Sequence, residues 1–278
     1  MPLLQPRHAE WFRAIDIFPQ NHYNVPENRK KKESPLFTSN HFIWLGLCGL
    51  CILLGLRVAE KKRFAVKTAG MVMSAICIAS ESCKMMTHML PSPLGGYALD
   101  PNALPFHLCS MQIFVVFYIT FAKSSPTKDR VISFFVPTAL LGGIMAMLIP
   151  TDGVDFRDPL AYQCFVFHAG LVWLALYFIR TKQVDMGCRA YGRNLLILLC
   201  LTGIMIYVNG AFFSYGTNFM FLTRPPMENL PILNLDHGWY VYVLSLAAMA
   251  LVLMTLVHLP FILKGRKKAG IPCQKAVC

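Results

Sequence analysis

Seven stretches of mostly apolar residues, separated by short polar segments, run along most of the chain. Most of them approach the roughly 20 residues that a helix needs to cross the apolar core of a bilayer. They cover approximately 41–56, 65–89, 104–122, 131–149, 159–179, 194–214 and 239–263. The pattern predicts an all-α, polytopic transmembrane bundle with seven spans, or with six if the short first stretch is only interfacial.

The same pattern divides the chain into three parts. We expect an extracytoplasmic or interfacial segment over 1–38, the transmembrane bundle over 39–263 and a basic cytoplasmic tail over 264–278. In the first part, four apolar residues recur at near-helical spacing, Trp11, Phe12, Ile15 and Phe18. Such spacing is compatible with a helix on the membrane surface, and an ordered tail fits equally well.

Basic residues predict the orientation of the bundle. Lys and Arg number four in the 57–64 loop, three in 123–130, four in 180–193 and five in 264–278. The intervening loops at 90–103, 150–158 and 215–238 hold none, one and one. Because cytoplasmic loops are enriched in these residues, we expect the C-terminus in the cytoplasm and the N-terminus outside. The basic cluster Arg29–Lys32 is the one feature that favours the opposite side for the N-terminus.

Composition agrees with a membrane protein and excludes several other classes. The chain is 55% hydrophobic and 14% charged, whereas soluble domains carry about 25% charged residues. The net charge of +12 resides in short loops and tails, which argues against a nucleic-acid partner. We expect an integral membrane protein, in the cell membrane of a bacterium or an endomembrane of a eukaryote, with membrane lipid as its partner. The oligomeric state stays open.

Polar side chains within or beside the spans are the candidate functional residues, because burying them in lipid is costly. With the predicted orientation, they all fall in the outer half of the bilayer. They are Glu81, Lys84, His88, His107, Cys109, Gln112, His168, Asn209, Tyr215 and Asn218. A shared depth for residues so far apart in sequence favours a common site.

Helical geometry limits which of these residues can act together. If the third helix begins with Asn102 as its cap and Pro105 in its first turn, then His107 and Cys109 point about 200° apart. Cys109 would lie about one turn inside the helix, where the dipole modestly favours a thiolate. Its base would then come from another span, and His168 is the best match by depth. A small apolar filler is the alternative for Cys109, and a packing role the alternative for either histidine.

Other chemistry has weaker support in the sequence. Glu81, Lys84 and His88 share one helical face, so a self-neutralising Glu–Lys pair is as good an interpretation as a functional one. The histidines and Cys109 have no metal-ligand spacing, and we predict neither a metal nor a cofactor. No Gly-rich phosphate loop or GxSxG elbow is present.

Several sequence blocks resemble a known family. Leu104–Ser110, LPFHLCS, resembles the signature of the YwaF-type bacterial integral membrane proteins, and further blocks extend the resemblance over roughly 37–262. These are Phe37–Phe42, Ser80–Glu81, Phe165–Gly170, Gly216–Leu222 and Gly238–Tyr240. More distantly, the chain is similar to an animal multispanning acyltransferase of ether phospholipids that uses a cysteine and a histidine. The resemblance implies roles for His107 and His168. The cysteine of that group directly precedes the first histidine, where this chain has Phe106.

Two hypotheses follow from these observations. In the first, the protein transfers or hydrolyses acyl groups of membrane lipids, with Cys109 as nucleophile, His168 as base and His107 or Asn218 stabilising the oxyanion. Glu81, His88, Gln112, Asn209 and Tyr215 would complete the substrate site. In the second, the protein is a non-catalytic carrier or binding protein with a polar path around Glu81 and His168.

Overall fold

The computed structural model describes residues 37–91, 96–151, 153–227, 230 and 232–269, with side chains up to 265. The surface helix expected around Trp11 and Phe18 lies outside these ranges, as does the last part of the basic tail. Within them the chain forms seven α-helices and one short β-hairpin. The helices are α1 (Ser39–Lys61), α2 (Val66–Thr87), α3 (Leu108–Phe121), α4 (Pro126–Leu148), α5 (Pro159–Arg180), α6 (Cys188–Ala211) and α7 (Trp239–Ala269). The hairpin pairs β1 (Met89–Pro91) with β2 (Tyr97–Leu99) in antiparallel register.

Local sequence explains where several helices begin. Ser125 accepts a hydrogen bond from the backbone N–H of Lys128 at the start of α4, and Asp158 accepts one from Leu160 at the start of α5. A proline follows each of these residues, at a position where the missing N–H costs nothing. Short polar caps therefore separate apolar segments that would otherwise run together.

The prediction of an all-α polytopic bundle is confirmed. Five helices, α1, α4, α5, α6 and α7, are long and apolar enough to cross a membrane by length and composition. The first of them, α1, is a full helix of 23 residues that continues to Lys61, and the choice between six and seven spans stays a prediction. The charged residues Arg57, Glu60 and Lys61 belong to the end of α1, so the helix does not stop where the apolar stretch ends.

Two other helices differ from the predicted spans. The third begins at Leu108, not at residue 104, so α3 has only 14 residues. The last runs through the start of the expected tail, to Ala269. Lys264 therefore lies within α7.

Hydrogen bonds show that the helices alternate in direction and that the basic loops share one end. Near the start of α2 and the end of α5, the Tyr177 hydroxyl donates to the carbonyl of Phe64 at 2.8 Å, and Arg180 pairs with Glu60 at 2.6 Å. At the opposite end, the Asn102 amide donates to the carbonyl of Tyr215 at 3.5 Å. The first end is the predicted cytoplasmic end, and the second is the outer end that contains the candidate site.

The core of the bundle lies around α5, which packs against α1, α2 and α4. Trp44 of α1 stacks on Phe165 of α5 with ring centroids 4.8 Å apart, and its indole N–H donates to the carbonyl of Val154. Helix α3 closes the body between α2 and α4, while α6 and α7 pack on each other and on α4. The body α1–α5 therefore supplies the rigid frame of the candidate site.

Candidate functional site

The start of α3 differs from the sequence prediction in a way that changes the geometry of the site. Asn102 lies in a 3₁₀ turn whose own cap is Asp100, and His107 occupies the N-cap position of α3 with an extended backbone (φ −72°, ψ 148°). The argument that His107 and Cys109 point apart on one helix is therefore wrong, because His107 precedes the helix. Cys109 is the second residue of α3 and belongs to its first turn.

The imidazole of His107 packs against a loop that leads from α6 to α7. Its ring centroid lies 5.8 Å from that of Phe219 and 5.2 Å from that of Phe221. Phe219 is fully buried and also makes an edge contact with Phe106. The block Gly216–Leu222 thus covers the outer end of α3.

This loop is held by side chains of both helices that it joins. The amide of Asn209 in α6 donates to the carbonyl of Phe219 at 3.0 Å and accepts from its N–H at 2.8 Å. From α7, the Tyr242 hydroxyl donates to the carbonyl of Phe221, and the Trp239 indole donates to that of Leu222. Asn209 is therefore occupied by the loop and not directed at a ligand.

Two consecutive residues of the loop have left-handed backbone conformations without being glycine. The φ angles are +55° at Met220 and +56° at Phe221. Such conformations cost of order 1–3 kcal/mol and persist only where the surroundings hold them. The hydrogen bonds from Asn209, Trp239 and Tyr242 stabilise these two conformations, next to the ring of His107.

A pair of glycines in α4 lets the helices that carry Cys109 and His168 approach closely. A Cβ atom at Gly142 would lie 2.7 Å from the Cys109 sulfur. A Cβ atom at the next residue, Gly143, would lie 3.0 Å from the backbone carbonyl oxygen of His168. Helices α3 and α5 approach α4 this closely only because both positions lack a side chain. The sulfur of Cys109 and the backbone of His168 therefore lie at consecutive residues of α4.

The protonation of the His168 ring follows from its hydrogen bond. Nδ1 lies 2.6 Å from the carbonyl oxygen of Cys164, and a carbonyl can only accept. Nδ1 thus carries the proton in neutral imidazole, and Nε2 carries the lone pair. His168 is the tenth of 22 residues in α5 and is partly buried.

Gln112 lies one turn below Cys109 on the same face of α3. Its amide nitrogen donates to the Thr138 hydroxyl of α4 at 2.8 Å, and the side chain is 1% exposed. Its carbonyl oxygen has no hydrogen-bond partner within the part of the chain described. A buried acceptor without a donor is costly in apolar surroundings, and this one lies beside the Gly142 contact.

The polar end of α2 forms a local network. Lys84 pairs with Glu81 at 2.9 Å and reaches the Ser110 hydroxyl at 3.5 Å. His88 is the C-cap of α2, and its Nδ1 donates to the carbonyl of Lys84 at 2.9 Å. The self-neutralising interpretation of Glu81 and Lys84 thus agrees with the structure, which ties α2 to the start of α3.

The remaining predicted residues lie in the outer loop. The Asn218 carbonyl oxygen accepts from the N–H and hydroxyl of Thr223 and from the N–H of Arg224, while its amide donates back to the Arg224 carbonyl. Tyr215, half exposed, ends a 3₁₀ turn. Asn218 therefore shapes the loop and is poorly placed to serve as the oxyanion donor.

One buried polar cluster escaped the sequence argument, which looked only at the outer half. Asn194 of α6 donates to the carbonyl of Ser133 in α4 at 2.7 Å and lies 3.3 Å from Nε2 of His258 in α7. Nδ1 of His258 donates to the carbonyl of Met254, so Nε2 accepts from Asn194. The histidine inside the last apolar stretch is the sequence signal from which this cluster could have been predicted.

No three His, Cys, Asp or Glu side chains in the described ranges are close enough to share a metal ion. The set His88, His107, Cys109 and His168 is therefore not a metal centre in this arrangement. The chemistry available at the outer end is that of a thiol, two imidazoles and amide groups.

Comparison with known proteins identifies the family. A sequence model of the TMEM164 family matches residues 36–258, which include every helix except the last turns of α7. The chain belongs to the TMEM164 family. It is accordingly an integral membrane protein. No curated protein and no solved structure matches the chain. The TMEM164 match establishes a membrane protein family and assigns no activity, so the YwaF-type and acyltransferase resemblances stay predictions.

Proposed function

We propose that the protein is a lipid acyltransferase or acyl hydrolase that uses Cys109 and His168 in the outer half of the membrane. The observation that carries the proposal is the close approach of α3 and α5 to adjacent glycines of α4: the Cys109 sulfur lies at Gly142 and the backbone carbonyl of His168 lies at Gly143. The helices that carry the thiol and the imidazole thereby pack on one short stretch of α4. The resemblance to an animal cysteine-dependent acyltransferase supports the role of His168, whereas the cysteine of that group corresponds to Phe106 and not to Cys109.

The reaction proceeds in two steps. Nε2 of His168 accepts the thiol proton as the Cys109 sulfur attacks the carbonyl carbon of a lipid ester, and the ester C–O bond breaks. The departing alkoxide takes the proton from His168 and leaves a thioester. A second alcohol, or water, then gives its proton to His168 and attacks the thioester, which returns the free thiol. The acceptor decides between transfer and hydrolysis.

His107 is the candidate for stabilising the oxyanion that forms in both steps. It lies two residues before the nucleophile, outside the helix, with its ring against Phe219 and Phe221. The loop therefore fixes its orientation. Asn218, the other candidate, is engaged within the loop itself.

The test is acyl transfer in proteoliposomes with the purified protein and its Cys109→Ser and His168→Ala variants. A fluorescent phospholipid serves as acyl donor, and a lysophospholipid or water as acceptor. Loss of the general base should reduce the rate at least about 100-fold. Intact-protein mass spectrometry should show an acyl adduct on the wild type that disappears in Cys109→Ser.

Matched controls are Cys200→Ser, at an exposed cysteine of α6, and His237→Ala, at an exposed histidine of the outer loop. Both should retain wild-type rates. Equal rates and equal acyl adducts in wild type, Cys109→Ser and His168→Ala would refute the proposal.

A further inference from the structure

An open groove lies between α2 and α5, on a different side of α5 from the Gly142–Gly143 contact. Its volume is about 460 Å³. Apolar atoms make up most of its wall, and the groove is open to the surface between the two helices. The lining residues are Ile76, Ala79, Ser80, Cys83, Arg157, Pro159, Tyr162, Gln163, Val166 and Phe167.

The groove extends from the outer end of the bundle into the membrane. Its α5 wall reaches from Pro159 to Phe167, which is about 12 Å along a helix axis at 1.5 Å per residue. Below it, α2 and α5 close together, since a Cβ atom at Gly170 would lie 2.8 Å from the Met73 sulfur. The groove is thus deep enough for part of one acyl chain and has a floor.

Three polar side chains of the wall already have partners. Ser80 and Gln163, on opposite helices, hydrogen-bond to each other at 2.8 Å. The Cys83 thiol lies 3.8 Å from the carbonyl oxygen of Pro159. Since these groups are already paired, an alkyl chain can occupy the groove without leaving them unsatisfied.

The mouth of the groove carries charges of both signs. Arg157 lines it, is exposed and takes part in no ion pair within the described ranges. Asp155 and Asp158 lie beside it in the chain, and each uses one carboxylate oxygen to accept a backbone N–H. A guanidinium binds phosphate oxygens in a bidentate manner, and carboxylates favour a nearby ammonium group.

We propose that this groove binds a zwitterionic phospholipid, with one acyl chain between α2 and α5, the phosphate at Arg157 and the ammonium group near Asp155 and Asp158. Charge complementarity selects this occupant: an anionic headgroup would meet two carboxylates beside a single guanidinium. The proposal needs neither Cys109 nor His168, and its success or failure is independent of the acyl-transfer chemistry.

The test uses the full-length protein in phosphatidylcholine vesicles that contain a trace of phosphatidylcholine with a diazirine on one acyl chain. After irradiation, peptide mass spectrometry locates the label. In wild type and in Cys109→Ser, the label should concentrate on α2 and α5 residues of the groove. Ala79→Trp fills the groove and should reduce this labelling at least about tenfold.

Ala75→Trp is the matched control, because Ala75 is an exposed residue one turn along α2 that does not line the groove. It should label like wild type. Ala79→Leu, a milder filling, should give an intermediate loss and serves if the tryptophan variant does not fold. Equal groove labelling in wild type and both Ala79 variants would overturn the proposal.

A separate competition experiment tests recognition of the headgroup. Excess unlabelled phosphatidylcholine should compete with the probe better than phosphatidylglycerol does, and Arg157→Gln should remove that preference while Arg157→Lys retains part of it. Equal competition by the two lipids would overturn the headgroup assignment. A photoactivatable side chain at position 79 tests whether a second copy of the protein occupies the groove. If it cross-links only to groove residues of another copy, the groove is a protein interface and the lipid assignment is overturned.

Discussion

The body α1–α5 and the pair α6–α7 are held together by different means. In the apolar windows of α4 and α5, 61% and 67% of the residues are buried, whereas in α6 and α7 the shares are 17% and 11%; the share in α1, which also belongs to the body, is 22%. In the body, glycines allow close packing: Gly70 lies against Thr120, Gly170 against Met73 and Gly55 against Trp173. In α6, a Cβ atom at Gly203 would meet nothing within 4 Å.

Polar contacts attach the pair to the body, beside apolar packing of Val257 and Phe261 of α7 against the core. Asn194 and His258 link α6 and α7 to α4, and the Tyr191 and Thr255 hydroxyls pair at 2.8 Å. Small residues and interhelical hydrogen bonds are the two general ways in which membrane helices associate. The body uses both, with hydrogen bonds such as that between Gln112 and Thr138, and the candidate site lies where the body meets the pair.

That division has a consequence for the proposed chemistry. Cys109 and His168 belong to the closely packed body, whereas the loop that orients His107 is anchored on Asn209 of α6 and on Trp239 and Tyr242 of α7. The nucleophile and base are thus fixed by packing, and the oxyanion candidate depends on the pair.

The largest effect should come from disrupting glycine packing in the body. In Gly70→Leu, the new side chain meets Thr120 of α3 with no space to receive it, and we expect a loss of about 3 kcal/mol in stability. The matched change Gly203→Leu adds the same atoms to an open face of α6 and should cost little. Thermal unfolding of both variants in detergent, followed by tryptophan fluorescence, measures the difference. Equal melting temperatures would show that α2–α3 packing is not close.

An intermediate effect should come from the polar cluster that holds the pair. Asn194→Leu removes the donor to the Ser133 carbonyl and to Nε2 of His258, both buried. We expect a loss of about 1–2 kcal/mol, with α6 and α7 becoming more accessible to protease while the body stays protected. Thr202→Val is the control, because the Thr202 hydroxyl bonds only within α6. Uniform destabilisation of all seven helices would contradict a separately attached pair.

The number and approximate positions of the helices could be predicted from the sequence, because a long apolar stretch leaves a membrane chain few alternatives to a helix. The start of α3 could not. Asn102 and Pro105 fit the signals of a helix start, yet Asp100 caps the 3₁₀ turn at Pro101–Ala103, and the chain reaches helical geometry only at Leu108. Two competing caps within a few residues cannot be ranked without the tertiary contacts of the loop.

The candidate site was predicted in part. Depth in the membrane predicted that Cys109 and His168 lie together, and the structure places the Cys109 sulfur at Gly142 and the backbone carbonyl of His168 at Gly143. The role of the two glycines was not predicted. A missing Cβ atom matters only where another helix packs against it, and the sequence does not show which helix does so. Asn209 and Asn218 looked like ligand groups because their partners, the backbone of Phe219 and of Arg224, are fixed only in the folded loop.

The smallest effect should come from loosening the loop without touching the bundle. Asn209→Ala removes the acceptor of the Phe219 N–H and the donor to its carbonyl. At about 1 kcal/mol net per hydrogen bond, the global melting temperature should change little, since the helices keep their packing. The Phe219 amide should, however, exchange its hydrogen faster, because it reports directly on the lost bond. Hydrogen exchange of peptides covering 213–222 measures this change.

Asn234→Ala is the control for that experiment, since the Asn234 amide bonds within another part of the outer loop, to the Leu230 carbonyl and the Asp236 N–H. It should leave exchange at Phe219 unchanged. If Asn209→Ala also lowers the acyl-transfer rate while Cys109 remains labelled at the wild-type rate by thiol reagents, then the loop acts through His107 and not through the nucleophile. Unchanged exchange at Phe219 would mean that Trp239 and Tyr242 hold the loop alone, and that the strain at Met220 and Phe221 is maintained from α7.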